Sequence, residues 1–349
     1  MVDGRRVLVT GGTGSLGQTL IRRLLSGELG TPDKIIVFSR DEAKQYAMRS
    51  AWRHAGKATE DVFYDNFDQL IEFQIGDVRD FASVERAVSR SDVIFHAAAM
   101  KQVPTCEYFP GQAVATNVGG AENVVRAVRI HPHVSTLAMV STDKACRPIN
   151  VMGMTKAIQE RVMVEGNLHQ DHARLFGVRY GNVLSSRGSV LPLFKEQIAA
   201  GGPLTITAAE MTRFLLSLNS AVDTIFCALR EAERGEIFVP KVASARIVDV
   251  AESLIAGRPI EKVVTGIRPG EKLHEILVSD DEALRTTERA GHFVVKPQLP
   301  EFGGFEGAHA LDSEFSSADA VVVGEDLAAL LAQADFVDPA MGEVASSRR

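Results

Sequence analysis

The segment Arg6–Gly17, RVLVTGGTGSLG, contains the pattern that decides the fold. Its first five residues form an apolar run typical of a buried strand, and Gln18–Leu25 continues as an amphipathic helix. Gly11 permits a tight turn, Gly14 lets the backbone approach a pyrophosphate, and Gly17 allows the helix to pack closely on the sheet. The free N–H groups and positive dipole end of such a helix predict a phosphate site at this turn.

Apolar runs alternate with helix-like runs through the first half of the chain. Six strands are predicted, over Arg6–Thr10, Lys34–Phe38, Ile71–Ile75, Val93–Ala98, Thr136–Ser141 and Leu175–Tyr180. The helices predicted between them are Gln18–Leu25, Asp41–His54, Ser83–Ser89 and Gly111–Val128. Near-continuous apolar strands alternating with helices are typical of a parallel sheet covered on both faces. The pattern therefore predicts an α/β fold with a Rossmann-type doubly wound parallel sheet.

The pattern changes after residue 180. Helices are predicted over Ala221–Glu233 and Ile247–Ile255, and Glu236–Val239 separates them. Near the C terminus, one helical run over Glu325–Ala334 precedes a polar tail. We interpret the chain as a dinucleotide-binding domain over 1–180, a smaller, partly interleaved substrate-binding lobe over 181–300, and an extension over 301–349.

The composition is that of an ordinary globular enzyme. The 349 residues are 45% hydrophobic and 24% charged, and the net charge of −7 argues against nucleic acid as a partner. No apolar run reaches the roughly 20 residues that span a bilayer, and no apolar secretory segment follows the N terminus. We expect a cytoplasmic protein without a membrane partner.

Metal binding and disulfide bonds are not expected. The three cysteines, at 106, 146 and 227, lie far apart and form no CxxC pair. His96, His131 and His133 have no convincing metal-ligand spacing, and we interpret them as structural residues.

The end of the second predicted strand carries the side chains that select a dinucleotide. Proteins that bind NAD place a carboxylate there for the ribose hydroxyls, whereas those that bind NADP need cations for the extra phosphate. This strand ends Phe38-Ser39-Arg40, and Lys44 follows one helical turn later. Ser39 can donate a hydrogen bond, and Arg40 can pair with phosphate or stack on adenine. The residues favour NADP, with NAD as the alternative; a solvated helix start capped by Asp41 is the interpretation without a ligand.

The Gly-x-x-Gly-x-x-Gly spacing resembles that of the short-chain dehydrogenase/reductase superfamily, especially its extended branch. Gly76-Asp77-Val78 resembles the superfamily's adenine contact, the three alanines from Ala97 resemble its nicotinamide-side turn, and Asn117 matches its structural asparagine. The dinucleotide contacts predicted from the glycine turn, the strand end and this resemblance are Gly11, Thr13, Gly14, Ser15, Leu16, Gly17, Ser39, Arg40, Lys44, Asp77, Val78, Ala97, Ala98, Ala99, Lys101 and Lys156.

The stretch Ser141–Lys156, STDKACRPINVMGMTK, stands where the superfamily has its catalytic segment. Lys156 fits the lysine of the Tyr-x-x-x-Lys motif, but Met152 replaces the tyrosine and cannot take a proton from a hydroxyl. The adjacent acid and base of Asp143-Lys144 suit a β-elimination, in which one group takes a proton from carbon and the other gives one to a leaving hydroxyl. A solvent-facing ion pair is the alternative interpretation.

The chain also resembles a narrower family, the bacterial UDP-N-acetylglucosamine 4,6-dehydratases of surface-polysaccharide and flagellin-glycan synthesis. The resemblance covers roughly residues 5–300, and some of the family's active members carry methionine at the position of Met152. The matching stretches are Ala99–Tyr108 (AMKQVPTCEY), Ser141–Lys156, Arg179–Phe194 (RYGNVLSSRGSVLPLF), Met211–Phe214 (MTRF) and Gly266–Glu275 (GIRPGEKLHE).

The resemblance implies a reaction and a role for each residue. NADP accepts hydride from C4 of the sugar and returns it to C6, while Lys144 removes the C5 proton and Asp143 protonates the departing 6-hydroxyl. Thr142 would hydrogen-bond near the 4-oxygen, and Lys156 would hold the nicotinamide ribose. Met152 leaves open which group deprotonates the 4-hydroxyl. Because a base must be partly neutral, we expect desolvation or nearby cations to lower the pKa of Lys144.

The resemblance also implies how the UDP-sugar is held. Asn182 matches a diphosphate contact, the arginines offer planar forks for phosphate oxygens, and Glu271 would orient Arg268 or bind a ribose hydroxyl. Cys146 would either touch the substrate or pack in the interior. The predicted substrate contacts are Lys101, Gln102, Asn182, Arg187, Arg213, Arg268 and Glu271.

Two other functions remain open from the sequence, and so does the assembly. A 4-epimerase or reductase of the same superfamily would share the glycine turn and Lys156, but would not need the Asp143-Lys144 pair. A catalytically silent NADP-binding protein is the second alternative, and Met152 is its best support. Because extended relatives commonly pair through their two long helices, a homo-oligomer is expected.

Overall fold

The computed structural model describes residues 1–58, 67–184, 190–303 and 308–332. Its strands are β1 (Arg6–Thr10), β2 (Lys34–Ser39), β3 (Ile71–Ile75), β4 (Val93–His96), β5 (Thr136–Val140), β6 (Arg174–Val178), β7 (Asn182–Val183), β8 (Leu204–Ile206), β9 (Thr212–Leu216), β10 (Ile237–Pro240), β11 (Ser244–Arg246), β12 (Lys262–Val264), β13 (Ile276–Val278), β14 (Thr286–Arg289), β15 (His292–Val295) and β16 (Phe315–Ser316). Nine of them form the main sheet, in the order β14-β15-β10-β6-β5-β4-β1-β2-β3. The seven from β10 to β3 are parallel, and the β14–β15 hairpin lies antiparallel at one edge.

Helices cover both faces of this sheet. They are α1 (Ser15–Leu25), α2 (Glu42–Ala58), α3 (Phe67–Leu70), α4 (Phe81–Val88), α5 (Val103–Tyr108), α6 (Pro110–Ala113), α7 (Gly120–Ile130), α8 (Val151–Gly166), α9 (Val190–Ala199), α10 (Leu218–Glu231), α11 (Ile247–Ile255), α12 (Asp280–Ala283) and α13 (Gly324–Ala332). Short 3-10 helices lie over Asp143–Ala145 and Pro300–Phe302. None of the helices in these described ranges is both long enough and apolar enough to cross a bilayer.

Two hydrophobic cores lie on opposite faces of the main sheet because side chains alternate along each strand. In β1, Val7 and Val9 point into the core shared with Leu20 of α1, whereas Leu8 points into the core shared with Val124 of α7. The predicted doubly wound parallel sheet is thereby confirmed.

The chain returns to the main sheet after residue 180. The segment that was expected only to separate two helices, Glu236–Val239, contributes β10, which pairs with β6 through Ile237 and Phe238. The β14–β15 hairpin then adds to β10, so sheet residues are drawn from both halves of the chain. The remaining strands of the second half form three small sheets, β11-β9-β7, β12-β8 and β13-β16.

The long helix predicted over Gly111–Val128 is divided into three parts. Helix α6 ends at Ala113, a π-helical segment covers Val114–Gly119, and α7 starts at Gly120. The hydrophobic periodicity of the sequence does not reveal such a π-helical segment, which is a rare interruption within an α-helix. In the C-terminal part, α13 agrees with the predicted helix as far as Ala332, and residues 333–349 lie outside the described ranges.

Candidate active site

A cleft of about 740 Å³ opens at the carboxyl ends of the parallel strands, the usual ligand position in such sheets. All the predicted dinucleotide residues line it. Gly11 has φ +68°, and an added Cβ would lie 2.8 Å from the amide nitrogen of Ala98. At Gly17, a Cβ would lie 2.6 Å from the carbonyl oxygen of Gly11. Only glycine fits at these two positions of the turn. A turn of this kind lets the pyrophosphate of a dinucleotide approach the backbone closely.

The end of β2 presents hydroxyl and cationic groups to the cleft. The hydroxyls of Ser39 and Thr13 lie 2.9 Å apart, and the backbone N–H of Asp41 donates to Ser39 Oγ at 3.2 Å. The Arg40 side chain is 60% exposed, and its contact with Asp77 is long, at 4.0 Å. The guanidinium can therefore turn toward a phosphate. Lys44 pairs with Asp41 at 2.6 Å. At the strand end itself, the NAD-type carboxylate is replaced by Ser39.

Asp77 and Val78, the predicted adenine contacts, line the cleft beyond β3. The Asp77 carboxylate accepts hydrogen bonds from Arg79 Nε at 3.0 Å and from its Nη2 at 2.6 Å. These bonds hold the pKa of Asp77 below its usual range, so the carboxylate stays charged.

Asn117 connects the loop after β4 to helix α8. Its Oδ1 accepts from the backbone N–H of Met100 at 2.8 Å, and its Nδ2 donates to Met100 O at 3.1 Å and to Thr155 Oγ1 at 2.9 Å. The residue is fully buried in the π-helical segment. This position has the structural function expected from the sequence.

Lys156 is held at the floor of the cleft by α8. Its Nζ donates to Val140 O and to Gln159 Oε1, both at 2.6 Å. Burial lowers the pKa of Lys156 to about 8, although the charge of Glu160 opposes this shift. Met152, one turn earlier, lines the same cleft and packs with Cys106. An apolar side chain thus occupies the place of the usual phenol.

Asp143 and Lys144 form a hydrogen-bonded unit at the wall of the cleft, with Thr142 as its third member. The Thr142 hydroxyl donates to Asp143 Oδ1 at 2.8 Å, and Lys144 Nζ donates to the same oxygen at 3.0 Å. The carboxylate is fully buried, and its Oδ2 has no hydrogen-bond partner among the described residues. The backbone N–H of Asp143 donates to Tyr180 O at 3.0 Å, which fixes the turn to the end of β6.

The expected lowering of the Lys144 pKa is wrong. Burial alone would lower it, but the carboxylates of Asp143 and Glu275 outweigh burial and raise the pKa above its usual value. Lys144 Nζ lies 3.3 Å from Glu275 Oε1, and Glu275 is only 2% exposed. At rest Lys144 is therefore an ammonium ion between two carboxylates. Sequence analysis did not single out Glu275, which is the last residue of the quoted stretch GIRPGEKLHE.

The predicted substrate contacts separate into three groups. Arg213 turns away from the cleft, because its guanidinium donates to the carbonyls of Thr212, Lys272 and Leu273. Arg187 lies outside the described residues. Those that line the cleft are Lys101, Gln102, Asn182, Arg268 and Glu271.

Cys146 packs in the interior beside the turn that holds Asp143 and Lys144. Its Sγ lies 3.5 Å from Glu282 Oε2, burial raises its pKa to about 12, and it is absent from the cleft lining. His96 is also buried, with Nδ1 2.9 Å from Thr10 Oγ1, and His131 pairs with Glu85 at 2.8 Å. Across the described part of the chain, no three His, Cys, Asp or Glu side chains come together as metal ligands would.

Comparison with known proteins places this chain in a family. The model of a family described as polysaccharide biosynthesis protein matches residues 7–297. The chain is 40% identical over 302 residues to a UDP-N-acetylglucosamine 4,6-dehydratase (inverting) of Campylobacter jejuni, covering 86% of this chain and 85% of that protein. The chain belongs to the polysaccharide biosynthesis protein family.

Other members of similar sequence carry different names. A UDP-glucose 4-epimerase of Rickettsia felis is 42% identical over 298 residues, covering 84% of this chain and 83% of that protein. The solved structure of Pen from Bacillus thuringiensis matches with a TM-score of 0.85 and 31% identity, covering 96% of this chain and 99% of that one. The shared architecture therefore extends over both halves of the chain.

Proposed function

We propose that this protein is an NADP-dependent UDP-N-acetylglucosamine 4,6-dehydratase, which forms a UDP-2-acetamido-2,6-dideoxy-4-hexulose. The observation that carries this proposal is the unit of Thr142, Asp143 and Lys144 at the cleft wall, with bonds of 2.8 and 3.0 Å joining an acid to a base. Such a pair is what elimination of water across C5 and C6 requires. The similarity to the Campylobacter jejuni dehydratase supports the same assignment.

Lys144 and Asp143 divide the two proton transfers between them. Bound NADP supplies the hydride chemistry, by accepting hydride from C4 and returning it to C6. The 4-ketone acidifies the C5 proton, which passes to the amine of Lys144, and the C5–H electron pair forms the C5=C6 bond. The C6–O bond breaks as Asp143 protonates the departing hydroxyl, so water leaves.

Thr142 connects the 4-hydroxyl to Asp143, which provides a route that avoids Met152. In this route the 4-hydroxyl gives its proton to Thr142 Oγ1, while Thr142 passes its own proton to Asp143 Oδ1 along the 2.8 Å hydrogen bond. Asp143 then holds the proton that leaves with the 6-hydroxyl. The proton lost at oxygen 4 thus becomes part of the eliminated water, and Asp143 returns to its carboxylate form.

The residues at the end of β2 support NADP as the cofactor, with NAD as the alternative. Ser39 stands where an NAD-binding carboxylate would lie, and the exposed cations of Arg40 and Lys44 line the same end of the cleft. A 2′-phosphate would gain cationic partners there, whereas the strand end itself offers a free 2′-hydroxyl the hydroxyl of Ser39 in place of a carboxylate.

The opposite end of the cleft is suited to the UDP-sugar. Asn182 Oδ1 is buried without a hydrogen-bond partner in the described structure, so an incoming donor would relieve that cost. Arg268 and Glu271 also line the cleft, and Glu271 Oε2 accepts a hydrogen bond from the Arg268 backbone N–H at 3.4 Å. A cationic guanidinium with an adjacent carboxylate matches a diphosphate and a ribose.

A UDP-sugar 4-epimerase is the second candidate, because the Rickettsia felis relative carries that name. An epimerase oxidises and reduces C4 only, so it needs neither a base at C5 nor an acid at the 6-hydroxyl. The buried Asp143–Lys144 pair is the observation that favours the dehydratase.

The experiment that tests the function is NMR of UDP-N-acetylglucosamine incubated with the protein and NADP in deuterated water. A dehydratase yields a 6-methyl signal, a 4-keto product and deuterium at C5, and the configuration at C5 is read from the same spectrum. A product changed only at C4 would instead establish the epimerase. No conversion under saturating substrate with either dinucleotide would favour the silent binding protein.

A further inference from the structure

Glu275 contacts Lys144 from outside the lining of the cleft. Its Oε1 is 3.3 Å from Lys144 Nζ, yet Glu275 is not among the residues that line the cleft. The side chain is buried, and Oε2 has no hydrogen-bond partner in the described structure. A buried carboxylate oxygen without a donor is costly, which suggests a function beyond packing.

The backbone around Glu275 is held rigidly. Its N–H donates to Ser317 Oγ at 2.9 Å, and its carbonyl accepts from the Ser317 N–H at 2.8 Å. The preceding loop is fastened to the catalytic turn, since Lys272 Nζ donates to Cys146 O at 2.6 Å and Asn150 Nδ2 donates to Gly270 O at 2.7 Å. The Glu275–Lys144 separation is therefore set by two independent attachments.

The charges around Lys144 pose a problem for the proposed elimination. Two carboxylates hold Lys144 as an ammonium ion at rest, whereas C5 deprotonation needs a neutral amine. Asp143 is not available to take the ammonium proton, because it already carries the proton that leaves with the 6-hydroxyl. Among the described residues, the other carboxylate paired with Lys144 is that of Glu275.

We propose that Glu275 is a positioning residue that accepts the resting proton of Lys144 and so generates the neutral amine that attacks C5. The proposal rests on the dehydratase function proposed above. One Nζ–H bond breaks and one Oε1–H bond forms, which converts an ion pair into a neutral amine and a neutral acid. Once Asp143 has taken the proton from the 4-hydroxyl, one of the two charges that hold the ammonium ion is gone, and burial then favours the neutral pair. Among the described residues, the other cation facing Glu275 is Arg213, whose Nε lies 4.0 Å from Oε1.

The protons balance across the elimination. Lys144 then takes the C5 proton and becomes an ammonium ion again, while Asp143 gives its proton to the departing hydroxyl. Glu275 still holds the proton that Lys144 carried at rest. The resting state returns when one of these two protons passes to C5 as hydride returns to C6, which completes the product; the remaining proton then stays on Lys144, and Glu275 and Lys144 again form an ion pair.

The test compares the two half-reactions in a Glu275→Gln variant. Glutamine keeps the size and the hydrogen-bond acceptor but cannot take a proton, so C4 oxidation should persist and reduced nicotinamide should accumulate. Deuterium exchange at C5 and kcat should fall about 100-fold or more, the scale of a lost proton-transfer group, while KM changes less than about threefold. A merely structural defect would impair both half-reactions together.

Two further variants keep the proposal falsifiable. Asp281→Asn removes one exposed carboxylate from the following helix and should leave both half-reactions unchanged. Glu275→Asp keeps a charge facing Arg213 but withdraws the carboxylate from Lys144, so C5 exchange should fall about tenfold or more with C4 oxidation intact. Should Glu275→Gln fail to fold, this variant decides the matter.

The outcomes separate the two proposals. Normal C5 exchange in Glu275→Gln, or in Glu275→Asp, overturns the proton-accepting assignment alone. Wild-type protein that oxidises C4 without ever eliminating water overturns the dehydratase function, and the assignment of Glu275 with it.

Discussion

At the scale of single residues, the chemistry depends on how Lys144 is surrounded rather than on its being a lysine. Burial opposes the ammonium form, but Asp143 and Glu275 together raise the pKa of Lys144. Lys144 has the carboxylate of Asp143 at 3.0 Å and that of Glu275 at 3.3 Å. A lysine on the open surface would lack both partners. The same carboxylates that charge the amine also orient it.

Replacing Lys144 with alanine should abolish turnover while cofactor binding persists. The C5 base is lost, so kcat should fall at least about 100-fold, within the usual range for removal of a general base. NADP titration followed by tryptophan or nicotinamide fluorescence checks the binding. Lys241→Ala is the matched control, because Lys241 lies outside the cleft lining, where it pairs with Glu288 and contacts the ring of Phe293. Near-normal turnover in Lys144→Ala would refute the assignment.

Replacing Arg40 with alanine should weaken NADP but not NAD. Loss of one charge-assisted bond to the 2′-phosphate should raise the Kd for NADP about tenfold. Among the described residues, the exposed guanidinium makes a long 4.0 Å contact with Asp77, which costs little to give up. Calorimetric titration with both dinucleotides measures the effect. The control is Arg129→Ala, an exposed arginine of α7 outside the cleft lining. An equal loss for both dinucleotides would contradict NADP selection.

At the scale of secondary-structure elements, the start of α8 holds the turn of Asp143 and Lys144 in place. Asn150 caps the helix through Oδ1, which accepts from the Gly153 N–H at 2.7 Å. Gly153 faces the turn so closely that an added Cβ would lie 2.1 Å from the carbonyl oxygen of Lys144. The helix and the turn therefore pack backbone against backbone, which only glycine allows at this position.

A Gly153→Ala variant should lose activity without losing the fold of the dinucleotide turn. The added methyl group must push the backbone of Lys144 outward, and a displacement of about 1 Å at a catalytic group costs on the order of 100-fold in kcat. Steady-state kinetics measures kcat, and NADP binding serves as the internal check. Gly111→Ala is the control, since nothing lies within 4 Å of its added Cβ. Unchanged kcat would show that the turn tolerates the shift.

At the scale of the whole molecule, a buried ionic cluster joins the catalytic helix to the second half of the chain. Arg179 donates to both oxygens of Glu160 and of Glu282, at 2.6 to 3.0 Å, and also to Leu277 O at 2.8 Å. Ser141, beside the catalytic unit, donates to Glu160 Oε1 at 2.5 Å. All five guanidinium donors are used, so this cluster has a strict geometry.

The cluster predicts a specific loss of stability in acid. Burial alone would raise the pKa of Glu282, but Arg179 lowers it to about 2, from 4.5 in the unfolded chain. This contribution is complete above the unfolded pKa and is lost as the pH falls from about 4.5 toward 2, and it amounts to about 3 kcal/mol. Urea unfolding of wild type and Glu282→Gln should therefore differ most near pH 6, and the difference should disappear only as the pH falls to about 2. A difference that does not change with pH would contradict this account.

An exposed apolar face predicts self-association. Helix α6, the π-helical segment and α8 contact one another and expose Val114, Met154 and Ile158 by 47 to 49%. Because monomers rarely leave such a group of large side chains in water, we expect a second copy to cover it. Ile158→Asp should lower the mass measured by light scattering to that of one chain. Leu284→Asp, which changes another exposed leucine, should not; a mass unaffected by Ile158→Asp would exclude this face.

The sequence alone determined the sheet and most of the cleft. The glycine turn, the apolar strands and the helices between them are local patterns, and three of the predicted elements, Arg6–Thr10, Ile71–Ile75 and Ile247–Ile255, have the predicted bounds. Parallel strands bring their carboxyl ends to one edge, so residues predicted at those ends line one cleft without any knowledge of packing.

Only the tertiary structure decided the electrostatics of the site. It brings Glu275 to 3.3 Å from Lys144 and turns Arg213 toward backbone carbonyls, and it raises a pKa that local reasoning expected to be lowered. It also adds β10 and the β14–β15 hairpin to the main sheet. The physical reason is the same in each case. Charge interactions and the pairing of edge strands act through space between residues that are far apart in the chain. Strand, turn and helix patterns depend instead on residues that are close together in the sequence.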